Sequence, residues 1–209
     1  MALGDQTANI LEYVGHSANI SVDMTGIRPT ATDFNEWSLD GECAFVIPRT
    51  GKYDNSVWMM RDGVNTHVQW GFGGGNSYTK FRVISVGGTL SDARNYEWHP
   101  LDGVWYKITN FDAQSIEIDG IAHPNYINKC TVNSNVDLRF CGFGSTKCLA
   151  INKSGETVRN WVPVSCASGI GFFDLTNHNT AFGAFDTVGP AVSSVDQLSD
   201  MQKEKWGLD

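Results

Sequence analysis

In the stretch "QSIEIDGIAHP", Gln114 to Pro124, the carboxylates Glu117 and Asp119 stand two residues apart within an apolar run. On a β-strand that spacing puts both on one face, about 6.6 Å apart along the chain. Two carboxylates so placed are the raw material of a nucleophile and a general acid. The same residues also fit a turn: Asp119-Gly120, flanked by Ile116, Ile118 and Ile121, is a hairpin signal because both positions tolerate positive φ. The turn reading accounts for more of the stretch and predicts two short antiparallel strands meeting at Asp119-Gly120.

Retaining glycosidases of the laminarinase type carry a strand motif E-x-D-x-x-E, with the two glutamates about 5 to 5.5 Å apart. Here the second glutamate's position is Ala122, so the acid that would protonate the leaving group is missing from the motif. A glycoside hydrolase therefore needs a carboxylate from another strand, with Glu12, Asp23 and Glu42 as candidates. "VSCAS" around Cys166 offers a thiol, and His16, His67, His99, His123 and His178 offer bases, but no local cysteine-protease signature accompanies them. "GFGGGN" and "GFGSTK" imitate parts of a phosphate loop, yet neither completes the motif and both run into strand-like sequence instead of a helix. The expectation is no catalytic residue and no enzyme.

Those residues need elements to hold them, and alternation dominates the chain. "SVWMM", "THVQWGF", "KFRVISV", "VWYKI", "SIEIDG", "VDLRFCGF" and "KCLAIN" are short strand candidates rich in aromatic and branched residues. Turn signals separate them, among them "RDGVN", "GGGNS", "IDG", "NKSGE" and "CASG". Such a pattern means an all-β sandwich or jelly roll. The exception is "SSVDQLSDMQKEKWG", where Ser194 as N-cap, Gln197 three residues on and Gly207 as a stop predict a short C-terminal helix. Val195, Leu198, Met201 and Trp206 would share its apolar face.

The chain has 209 residues, 41% hydrophobic with seven Trp, enough for one well-packed domain. Its net charge of -8 and singly scattered Lys and Arg argue against nucleic-acid binding. No apolar run approaches the about 18 residues of a membrane span, and "MALGDQTANI" has no signal-peptide character, so the chain is expected to be soluble and made in the cytosol. Cys43, Cys130, Cys141, Cys148 and Cys166 are odd in number and lack a C-x-x-C pair, which argues against zinc and a full disulfide framework and for buried free thiols. The N-x-S/T matches at Asn19 and Asn152 would matter only in a secreted chain.

Three segments carry a family resemblance. "GVWYKITNFDAQSIEIDG" (Gly103 to Gly120) resembles the hairpin of laminin-G-like, concanavalin-type domains, in which a tryptophan opens one strand and a D-G turn closes its partner. "VRNWVPVSCASGIGFFDLTNHNTAF" (Val158 to Phe182) resembles the ending of such domains in gut bacteria and their phages through Arg159, Pro163, Cys166, Gly171, Phe173, Asp174, Leu175, Asn177 and Phe182. "LEYVGHSANISVDMTGIRPTATD" (Leu11 to Asp33) is similar to their opening. The departures at Asn160 and Phe173 touch packing, not chemistry.

The resemblance implies a concanavalin-like jelly roll over residues 11–192 whose first and last strands pair, preceded by a tail (1–10) and followed by a helical tail (193–209). It further implies a non-enzymatic virion protein of a bacteriophage, such as a capsid decoration, head-fibre or tail-fibre component. Such a protein would be a dimer or trimer bound to other virion proteins through its tail and through Val195, Leu198, Met201 and Trp206. The alternative is a lectin-like module recognising host surface glycans, with Tyr53, Tyr96, Trp98 and His99 beside polar loops as stacking residues, although Trp98 is read more readily as an anchor of its loop into the core. Relatives of this kind often hold calcium with loop Asp and Asn oxygens. Here "RTGKYDN", "RDGVN" and "TLSDARN" lack D-x-D-x-D-G spacing, so no cofactor or metal ligand is assigned and calcium stays the one ion to test.

Overall fold

Side chains that alternate along a strand must find two different environments, and here both faces of the central strands are covered. The computed structural model of the chain describes residues 2–3, 6–7, 9–16, 20–22, 24, 26–28, 36–45, 57–62, 66–72, 81–85, 101–111, 115–124, 136–140, 144–183, 185 and 187–208. Among them the strands are β1 (Ala2–Leu3), β2 (Gln6–Thr7), β3 (Asn9–Ile10), β4 (Val14–His16), β5 (Ile20–Ser21), β6 (Trp37–Phe45), β7 (Trp58–Asp62), β8 (Thr66–Phe72) and β9 (Phe81–Ser85). They continue as β10 (Trp105–Phe111), β11 (Ser115–Ile118), β12 (Ile121–Pro124), β13 (Val136–Phe140), β14 (Gly144–Lys153), β15 (Glu156–Cys166), β16 (Gly169–Asp174), β17 (Thr180–Phe182) and β18 (Thr187–Val188). The described strands are antiparallel and the protein is all-β, and each of the seven stretches read as strands from sequence overlaps one.

The larger sheet runs in the order β12-β11-β10-β6-β14-β15-β16-β17, with β3 joined to β15 and β4 joined to both β14 and β18. The smaller runs β5-β13-β7-β8-β9, while β1 and β2 pair with each other. The two ends of the fold are laced together. Glu12 N donates to Pro190 O and Gly189 N to Tyr13 O, both at 2.9 Å, and Val192 N donates to Ile10 O at 2.8 Å. Asn9 and Ile10, placed in a tail by the sequence reading, pair with Ser165 and Val164 of β15.

The sheets face one another across a shared core. Trp37, Leu39, Cys43 and Phe45 of β6, Leu149 and Ile151 of β14 and Trp161 of β15 meet Trp58 of β7 and Leu138 and Phe140 of β13. Phe140 stacks on Phe172 with ring centroids 3.7 Å apart and meets Trp161 edge-on at 6.1 Å, geometries that add to the area the rings bury. Trp58 satisfies its indole by donating Nε1 to the Thr146 hydroxyl at 3.1 Å.

The C-terminal helix is displaced from its expected start. Ser194 and Gln197 belong to a 3-10 turn, Val195–Gln197, which stops where Leu198 takes an extended conformation. The helix α1 (Asp200–Trp206) begins anew on a second box of the same type: the Ser199 hydroxyl accepts from Gln202 N and the Gln202 side chain returns to Ser199 N. "SSVDQLSDMQ" holds two S-x-x-Q boxes, and the extended Leu198 between them is buried. The stop at Gly207, with φ of 65, falls where expected. Among the described residues no helix is long and apolar enough to cross a membrane.

β6 tolerates nothing larger than glycine at position 41. A Cβ there would stand 2.6 Å from the Trp58 ring and 2.7 Å from the Cys148 carbonyl, and the latter is backbone that cannot swing aside. Gly41→Ala is therefore expected to lower unfolding stability by about 3 kcal/mol, read as a shift of the urea midpoint.

Candidate functional site

The acidic hairpin is a turn. Asp119 and Gly120 have φ of 51 and 79, the double positive of a two-residue reverse turn between β11 and β12. Asp119 uses its carboxylate to accept from Lys107 N at 2.8 Å, and Glu117 accepts from the Thr109 hydroxyl at 3.0 Å. Glu42, one of the carboxylates proposed to complete a catalytic pair, lies opposite Lys107 on the far side of β10, whereas Glu117 lies opposite Thr109. Two strand spacings thus separate them, about 10 Å before the offset along the strands is added, wider than a retaining pair needs. Glu12 lends its carbonyl to Gln202, and Asp23 lies outside the described residues.

Glu42 has a different task. While the odd residues of β6 enter the core, Asp40 and Glu42 point to the opposite face of the larger sheet, where the C-terminal segment covers them. Asp40 Oδ1 accepts from Asn110 N at 2.8 Å, and its Oδ2 accepts from Asn152 Nδ2 at 2.9 Å and from Lys205 Nζ at 2.7 Å. Glu42 Oε1 accepts from Lys147 Nζ at 3.1 Å, and Oε2 accepts from the Ser199 hydroxyl. Gln202, with no exposed surface, donates to the carbonyls of Glu12 at 2.9 Å and Lys147 at 3.3 Å, and Asn160 donates its amide to the Lys205 carbonyl. The helix is thus bolted to the sheet through polar groups, with Trp206 resting beside the apolar patch of Ile10, Val162, Val164 and Phe173.

Burial alone would push the Lys205 ammonium down, but the hydrogen bond and charge of Asp40, with Glu204, more than offset it and hold its pKa above the ordinary value. A lysine raised in the folded state stabilises fully below its unfolded pKa and loses that contribution only as pH climbs through the raised one. The Lys205 ammonium is therefore charged at neutral pH.

The four residues expected at an interface are split by this arrangement. Leu198 and Met201 are buried within the chain's own fold, Trp206 is half-buried, and Val195 is exposed. Tyr53, Tyr96, Trp98 and His99 lie outside the described residues, as do "RTGKYDN" and "TLSDARN". Among the described residues no group of three or more His, Cys, Asp or Glu is arranged to hold a metal. Cys43 and Cys148 are buried; burial first, then the neighbouring Glu42 carboxylate, push both thiols well up. Cys166 is half-buried at the end of β15, while Cys130 and Cys141 lie outside the described residues.

Sequence reading missed a second polar feature. Where β5 approaches β17, a cleft of about 210 Å³ opens between the sheets, with Trp161 and Asp174 at its base and Ser21, Asn177, Asn179 and Thr180 around it. Asp174 Oδ1 accepts from Asn160 N at 3.1 Å, Thr176 N at 2.9 Å and the Thr176 hydroxyl at 2.7 Å, and Oδ2 stands 3.1 Å from Arg159 Nε. Arg159 and Asp174 thus clamp β15, β16 and the following turn. "DLTNHNT" signals only a turn in sequence; that its amides border a cleft depends on β5, which lies far away along the chain.

No known family, curated protein or solved structure matches this chain.

Two measurements test this description. Asp40→Ala leaves Asn110 N without its partner, Lys205 with only Glu204 at 3.6 Å and Asn152 Nδ2 with only Ser38 at 3.4 Å, and is expected to cost about 3 kcal/mol, whereas Lys205→Ala, which leaves Asp40 two partners, costs about 1 kcal/mol, both read by urea unfolding. The Lys205→Ala deficit should hold steady through neutral pH and shrink only above the ordinary lysine range. In native protein treated with a thiol alkylator, peptide mass mapping should find Cys43 and Cys148 unmodified, and modified once the chain is denatured.

Proposed function

We propose that this chain is a non-enzymatic structural or adhesion protein of a bacteriophage particle, a capsid decoration, head-fibre or tail-fibre component, built on a concanavalin-like jelly-roll sandwich. The observation that carries the non-catalytic part is the commitment of Asp40 and Glu42: every carboxylate oxygen of the pair has a partner, and those partners hold the C-terminal helix in place. The face that would offer paired acids to a substrate is used for closure. Support for the sandwich comes from two antiparallel sheets on one core and from the pairing of β4 with β18. The particle rests on the resemblance of the Val158 to Phe182 segment to phage-borne domains.

An assembly component needs self-contacts, and Val195, exposed beside a cavity of about 190 Å³ that Leu198 and Leu208 also line, is where a partner chain would begin. Light scattering of the purified chain is expected to give a dimer or trimer whose mass does not change with calcium; a monomer at every concentration overturns the assembly reading.

The second reading, a carbohydrate-binding module for surface glycans, is favoured by the cleft between β5 and β17, where side-chain amides and hydroxyls surround a small opening beside a buried indole.

A further inference from the structure

We infer that the cleft between β5 and β17 is a subsite for a single uncharged sugar residue at the end of a glycan chain. The inference rests on the second reading above and adds to it the place and the ligand class.

Charge decides the class. The base of the cleft contains one carboxylate, Asp174, 1% exposed, but it is balanced by Arg159 Nε at 3.1 Å. A metal ion drawn to Asp174 would stand against the guanidinium, and an anionic group drawn to Arg159 would stand against the carboxylate. Neither sign of charge is welcome in a space this small. A neutral ligand meets no such penalty.

Hydrogen-bonding capacity points the same way. Asp174 Oδ1 is spent on Asn160 and Thr176, while its Oδ2 faces Arg159 and accepts no hydrogen bond among the described residues, so the base keeps one open acceptor and the rest of the free capacity lies on the rim. Asn177 Oδ1 accepts from Asn179 N at 3.0 Å, which fixes the amide and leaves its Nδ2 as a donor. Among the described residues the side chains of Ser21, Asn179 and Thr180 have no hydrogen-bond partner, so two hydroxyls and an amide are open as donors and acceptors together. A sugar's vicinal hydroxyls, each donor and acceptor at once, match that mixture. The volume of about 210 Å³ admits one ring and not a chain, which makes this an end-on subsite.

The rim also stands on a firm base. Asp174 N donates to Asn179 O at 2.8 Å and His178 N to Asp174 O at 2.9 Å, so the turn that carries Asn177 and Asn179 is held in shape before any ligand arrives.

The test is an array of glycans ending in uncharged hexoses and N-acetylhexosamines, alongside termini bearing carboxylates, probed with the full chain made multivalent so that a weak single site registers. Asn179→Ala removes a rim group whose side chain holds nothing else, and Ser21→Phe fills the opening from an exposed position on β5; thermal melts matching the parent's establish that both fold. The expected result is binding to a subset of neutral termini, reduced about tenfold or more in each variant. Binding by the parent that both variants retain overturns this cleft while leaving glycan recognition in place. Preference for charged termini overturns the ligand class. A parent that binds no glycan overturns the subsite and the second reading together.

Discussion

The carboxylate of Asp40 is the point on which the molecule's second layer hangs. It sits on β6, near the middle of the larger sheet, and reaches β10 through Asn110 N, β14 through Asn152 and the C-terminal helix through Lys205. A charge this deeply buried is costly unless each lone pair is used, and once they are used the cost becomes a specification: only one placement of the helix satisfies them. Glu42 repeats the device with Lys147 and Ser199. Apolar contact would hold a seven-residue helix in many registers, whereas these paired charges admit one.

The core obeys another constraint, proximity. The Trp58 ring and the Val57 side chain reach so close to β6 and β14 that Gly41 and Gly144 stand where a Cβ would clash. Bringing two backbones that near lets Phe140, Phe172 and Trp161 interlock instead of merely facing one another. The aromatic layer and the glycines are therefore one arrangement.

Much of this was legible in the sequence because it depends on neighbours. The Asp119-Gly120 and Ser154-Gly155 turns, the alternation of β10 and the stop at Gly207 are local matters, and each stands where the residue types put it. β6 was not legible, since its Asp40-Gly41 pair has turn-forming types and its outward residues are polar yet buried. Those choices make sense only once Trp58 and the helix are in place. The helix start failed for a related reason: two equivalent capping boxes compete, and the burial of Leu198 between them decides in favour of the second. The acidic pair at Glu117 and Asp119 was rightly given to the turn, but nothing in "WSLDGECAF" or "TNHNT" announced the bolt or the cleft, because each is completed by residues more than a hundred positions away.

The lacing of residues 10–15 to 187–192 also sets how the molecule would bear a load. Ile10 and Val192 sit side by side at one end of the antiparallel ladder, so tension applied through both would open the rungs singly, as a zipper parts. Tension applied through one of them and a distant loop would strain the rungs together, as a seam resists shear. The same ladder is weak in one direction of pull and strong in the other, and the direction is set by where on the chain the load is attached.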